Sequence, residues 1–230
     1  MKRVKLLFFL LICSVTSSYA QWSMGIGVNT VLPQGVISQQ NYPLGIGGDF
    51  TLLSPTVLNK ESNFKLQFGI NFGGSDNGRK SFKTNGQFEE GSLNFYNCIA
   101  NSQVTSRLTY IPHPRFGLFS EIIASRTLFH SGLNEVTETD DSYNHYHKVV
   151  ASKGLFRYGA GFGGSYYVNH LVRLDLRFDY TKGESVEFID MSSTRRTEDG
   201  YNFDKGTASQ SDLVNIQLRV SWLLRIKQQG

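Results

Sequence analysis

Residues 155–182, LFRYGAGFGGSYYVNHLVRLDLRFDYTK, constrain the fold most tightly. Phe156, Tyr158, Ala160, Phe162, Gly164, Tyr166 and Val168 occupy one phase of a two-residue repeat, and Arg157, Gly159, Gly161, Gly163, Ser165 and Tyr167 the other. After the corner at 168–171 the alternation resumes. Val172, Leu174, Leu176, Phe178 and Tyr180 oppose Arg173, Asp175, Arg177 and Asp179. Successive Cβ atoms of a strand point to opposite faces, so a strict period of two predicts a β-hairpin with one apolar and one charged face.

The same design recurs along the chain. Alternation predicts strands over 22–32, 44–53, 64–73, a fourth ending at Ile111, 116–127, the two hairpin strands, and 213–226. The fourth is the least regular, because Ser106 interrupts its apolar phase. Charges fall on the polar phase: Asp49, Lys65, Arg107, Glu121, Arg157, Arg173, Asp175, Arg177, Asp179 and Arg219. A Lys or Arg facing lipid at mid-bilayer costs about 2–4 kcal/mol, so a lipid-facing band would be cleared of charge in this way. The expected connections alternate too. They are long at 33–43, 74–102, 128–154 and 183–212, and short at 54–63, 112–115 and 169–170. Ten residues tilted near 40° cover roughly 25 Å, about the height of an apolar membrane band. At the short-turn ends the apolar phase carries Trp22, Phe50, Phe64, Tyr110, Phe116, Tyr166 and Trp222, which predicts an aromatic girdle at a headgroup level. A water-soluble barrel would explain the alternation but not this ring.

The fold class expected is therefore all-β: an eight-stranded antiparallel up-and-down transmembrane β-barrel with short periplasmic turns and long extracellular loops. Residues 1–20 read as a removable secretory signal peptide. Lys2, Arg3 and Lys5 precede an apolar run over 6–15, and Ser18-Tyr19-Ala20 suits a signal peptidase. Cys13 admits a lipoprotein reading, but Ile12 stands before it where a small residue is expected. Residues 21–230 form one barrel domain. With the leader removed, 20 basic and 19 acidic residues remain, a formal charge of +1, so nucleic acid is not an expected partner. Cys98 has no second cysteine in 21–230 with which to form a disulfide.

The run GFGGSYYVNHLVRLDLRFDY at 161–180 resembles the glycine-rich strand, tight turn and alternating strand of small OmpA/OmpX-like barrels. It is most similar to the outer-membrane β-barrel domain family common in Bacteroidetes, which includes PorT-like proteins. The resemblance implies a Gram-negative outer membrane with both termini periplasmic. It also implies contact with outer-membrane lipid and lipopolysaccharide, barrel-assembly machinery during insertion, and other envelope proteins as partners. It departs from the family at the C-terminus, where Trp222 is followed by LLRIKQQG instead of closing the chain.

Two interior readings stay open: a selective pore, or a solid polar core held by ion pairs. No cofactor, metal or catalytic residue is expected. His130, Glu135, Glu138, Asp140, Asp141, His145 and His147 could supply metal ligands, but at no recognised spacing. His130-Ser131 would need a base within reach and a group to orient it before it could serve a hydrolase. Phe95-Tyr96 and Tyr201 with Phe203 suit surface contacts with a partner. The expected role is non-enzymatic: a barrel presenting polar loops for envelope integrity, adhesion or an export assembly. A narrow solute channel and a lipid-modifying enzyme are the alternatives.

Overall fold

The computed structural model describes residues 21–58, 62–85, 90–139, 142–197 and 200–225. The expected signal peptide lies outside them. Eight strands follow the alternation: β1 (Gln21–Gln34), β2 (Gly45–Leu53), β3 (Phe64–Asn85), β4 (Glu90–His113), β5 (Phe116–Thr139), β6 (Ser142–Tyr167), β7 (Val172–Lys182) and β12 (Asp212–Arg225). They close a ring in the order β1-β12-β7-β6-β5-β4-β3-β2, every neighbouring pair antiparallel. Ring closure pairs β1 with β12, from Gln21↔Arg225 to Gln34↔Asp212, so no edge is left open within the ring.

The two phases take opposite surroundings. Ile26, Val28, Ile46, Val104, Leu118, Ile122, Phe156, Phe162 and Leu218 are exposed on the outside. Asn29, Asp49, Asn71, Gln103, Arg107, Glu121, Arg177, Asp179 and Gln217 are buried inside. This inverts a water-soluble barrel and matches a hydrocarbon surround. Above the apolar belt the first outward charges are Asp76, Arg126, Lys182 and Asp212. The Tyr180 hydroxyl hydrogen-bonds Asp212 at 2.5 Å at that border.

The principal difference from expectation lies at the end opposite the termini. Strands β3 to β6 do not stop at the belt; they run 22 to 26 residues and rise as a four-stranded sheet where long loops were expected. Their flanking partners end early, β2 at its Ile46↔Asp76 pair and β7 at its Tyr158↔Lys182 pair. Beyond Asp76 the β3–β4 register shifts at Gly78, whose φ of +103° is one that L side chains rarely adopt. The connection after β1 holds a single helical turn, α1 (Val36–Gln39). The connection after β7 folds into two nested hairpins: β8 (Val186–Ile189) pairs with β11 (Lys205–Ala208), and β9 (Arg195–Thr197) with β10 (Gly200–Asn202).

Candidate functional site: the filled interior and the head above it

Inside the belt, the alternation brings nine of the ten charged strand residues into one buried body. Arg107 hydrogen-bonds Glu121 through Nε and reaches Asp175 at 3.5 Å. Arg173 donates to Asp175 at 2.9 Å, and Ser165 donates to the same carboxylate at 2.6 Å. Arg177 Nε stands 2.8 Å from Glu121 Oε2, within ion-pair distance but off hydrogen-bond alignment. It lies 3.5 Å from Asp179, and Arg219 forks onto Asp49 at 3.0 and 3.2 Å. Gln103 and Gln217 accept from Arg177, and Asn215 donates to Asp179. Buried charges are tolerated only when paired and hydrogen-bonded, and here each carboxylate has a guanidinium beside it.

Arg157 belongs to this interior on different terms. Its guanidinium donates to the Thr181 carbonyl at 2.8 Å and to the Ser211 carbonyl and hydroxyl, all neutral acceptors. Lys65 stands apart from the ion pairs. It is half-buried at the terminus-bearing mouth, 6.0 Å from the centre of the Tyr167 ring.

One aromatic on the polar phase had no reason in the alternation. Phe119 points inward, 4 % exposed, and Arg107 stacks over its ring at 3.9 Å. The ring lies against Gly163, where a Cβ would collide with Phe119 Cζ and with the Leu176 carbonyl oxygen. A glycine on β6 thus makes room for the aromatic that covers a buried cation.

The seven girdle residues all face outward, Trp22 half-buried and the others exposed. Phe64 packs on Tyr110 at 4.9 Å between ring centres, and Phe116 on Tyr166 at 5.1 Å. Phe50 differs in lying opposite Phe72.

Above the belt the inward phase changes character. Val31, Ile99, Phe129, Leu155 and Leu213 from the strands meet Ile37 of α1, Tyr42, and Val186, Phe188 and Ala208 of the last connection in one apolar cluster. Tyr42 meets Phe129 and Phe188 edge-on at 5.9 and 4.8 Å, and burial pushes its phenol far above the ordinary ionisation range. A second cluster joins Leu93, Phe95, Leu133 and Ile189, with Tyr201 and Phe203 packed on it. Phe95 is fully buried, 5.6 Å from each of those two rings. The expectation that Phe95, Tyr201 and Phe203 are partner-contacting surface residues is therefore corrected: they hold the last connection onto the raised sheet. Polar clamps do the same. Buried Asn97 donates to the Ile189 carbonyl at 2.8 Å, Lys80 reaches the Met191 and Thr194 carbonyls, and Arg196 donates to the Lys83 carbonyl at 2.7 Å.

The remaining candidates separate. His130 faces outward, whereas Ser131 points inward and donates to Asn97, so consecutive strand residues cannot form a nucleophile–base pair. Tyr96 also faces outward, its hydroxyl 2.7 Å from His147 Nε2 and 3.3 Å from His130 Nε2. Asp140 and Asp141 lie outside the described residues. Among the described residues no three His, Cys, Asp or Glu side chains gather in a metal-binding group. Cys98 sits on β4 opposite His130. Burial and the neighbouring Asp76 carboxylate push its thiol up, which works against thiolate formation.

No protein-family model matches the chain, and no curated protein sequence matches it. Solved structures of similar shape include neisserial surface protein A, at 10% identity over 90% of this chain and 98% of that one, with a TM-score of 0.48. They also include a major outer membrane protein of Thermus thermophilus, at 11% identity over 90% and 100%, with a TM-score of 0.46. The attachment invasion locus protein Ail of Yersinia pestis is similar at 12% identity over 89% and 97%, with a TM-score of 0.40. At these values the likeness concerns overall shape alone, and the assignment of eight closed strands rests on the registers of this chain itself.

Proposed function

We propose that this chain is an integral outer-membrane β-barrel, both termini periplasmic, that acts as a non-enzymatic display platform. One observation carries the reading: the interior is filled by ion pairs and capped by an apolar cluster, while four strands continue outward as a braced head. A chain built to conduct would not close its mouth with Phe129, Leu155 and Phe188. A chain built only to fill a membrane would not extend a raised sheet. The head is then the working part, offering Asn134, His145, Tyr146 and His147 for contacts in adhesion or envelope integrity. It could equally dock the barrel as an accessory part of an export assembly, which the resemblance to PorT-like chains favours.

Orientation is tested by thiol labelling in a Cys98→Ala background. Asn134→Cys is expected to react with an impermeant maleimide on intact cells, and Asn169→Cys only after the outer membrane is permeabilised. The reverse pattern overturns the orientation. Mild-detergent extraction and sizing test the assembly role. Stoichiometric companions lost on Tyr146→Arg support it, and elution as a lone barrel removes it.

A further inference from the structure

The ten inward charges do not balance: six are basic and four acidic. Four arginines take up the four carboxylates, and Arg157 is met by neutral oxygens. The cation left over is Lys65. It lines an open depression of about 560 Å³ at the terminus-bearing mouth, beside the β4–β5 and β6–β7 turns. Arg115, His170, Asn169 and Gln21 line the same depression, and so does the Tyr167 ring. No carboxylate lines it among the described residues. Lys65 Nζ and Arg173 Cζ each lie 6.0 Å from the centre of the Tyr167 ring. Lys65 and Arg115, with no carboxylate beside them in the lining among the described residues, form a site short of negative charge, and Arg173 stands behind the Tyr167 ring, paired with Asp175. Like charges held together in a partly desolvated place are stabilised by whatever anion enters.

We infer that this mouth is a binding site for a small oxyanion, a carboxylate or phosphate group. Lys65 is its central cation, Arg115 its second from the exposed turn, and Asn169 and Gln21 its neutral donors. The flat Tyr167 ring and the side chains of Ile111 and Leu223 would hold an apolar body attached to that anion. The inference needs only the closed barrel and stands apart from any role for the head.

The test is a titration of the full-length mature chain, refolded in maltoside micelles, with inorganic phosphate and separately with acetate. Chloride holds ionic strength constant, and amide NMR shifts are followed. Saturable shifts confined to Lys65, Arg115, Tyr167 and His170 are expected for at least one of the two anions, and which anion saturates names the group. Lys65→Gln is expected to weaken that binding at least tenfold, and Arg115→Gln, on an exposed turn, several-fold. Lys182→Gln at the opposite border is expected to leave it unchanged. Shifts that stay linear for both anions, or saturation that survives Lys65→Gln and Arg115→Gln alike, overturn the proposal.

Discussion

Among single residues, the interior is governed by desolvation more than by attraction. Asp49 and Arg219 show this most simply, because among the described residues the one guanidinium paired with Asp49 is that of Arg219. Arg219→Met strands a buried carboxylate, and the expected loss is about 3–5 kcal/mol. Adding Asp49→Leu removes the stranded charge and is expected to restore most of that loss, read from the urea midpoint of Trp22 and Trp222 fluorescence. Equal destabilisation of the single and double variants would show that the pair is not the unit that matters. Gly163 poses the same kind of local constraint. Gly163→Ala puts a methyl against the Phe119 ring and the Leu176 carbonyl and is expected to cost about 1–3 kcal/mol by overpacking, in the same unfolding measurement.

Among the elements, the raised sheet and the last connection depend on each other. The hairpins β8–β11 and β9–β10 are too short to stand alone, and the upper halves of β3 to β6 have no second sheet except these hairpins among the described residues. Phe95 is the ring they share. Phe95→Ala is expected to remove about 3–5 kcal/mol of packing, lost locally. Trypsin should then cut at Arg195, Arg196 or Lys205 at least tenfold faster, with the belt's unfolding midpoint nearly unchanged. A parallel fall in that midpoint would mean that head and belt unfold as one unit. The alternation reported strands here but not their length. Above Asp76 and Arg126 the outward phase turns polar and the inward phase apolar, the ordinary pattern of a water-exposed sheet. The membrane pattern therefore ends at the belt's edge, and the strands do not.

Taken whole, the molecule meets two solvents with one chain. Leu176 lies midway along the outward face of β7. Leu176→Arg is expected to cost about 2–4 kcal/mol, and Tyr158→Arg at the upper border about 0–1 kcal/mol. Equal costs in refolding titrations would place the belt elsewhere. The filled interior makes a second global prediction: the refolded protein gives no unit conductance events in a planar bilayer. Steady ohmic steps would contradict the solid core and restore the channel reading.

The eight barrel strands, their pairing order and the face of each that meets lipid follow from the amino-acid pattern alone. A period of two and the cost of a charge in hydrocarbon leave few alternatives, and both act between near neighbours in the chain. The same pattern names the charged residues that turn inward. Their partnerships come from the closed fold. Asp49 meets Arg219 across 170 positions through ring closure, Lys65 lines a depression with no carboxylate among the described residues, and Phe95 is buried beneath Tyr201 and Phe203. Those outcomes depend on shear, on strand length above the belt and on where the last long connection returns, and these are set by long-range packing that a local pattern does not record.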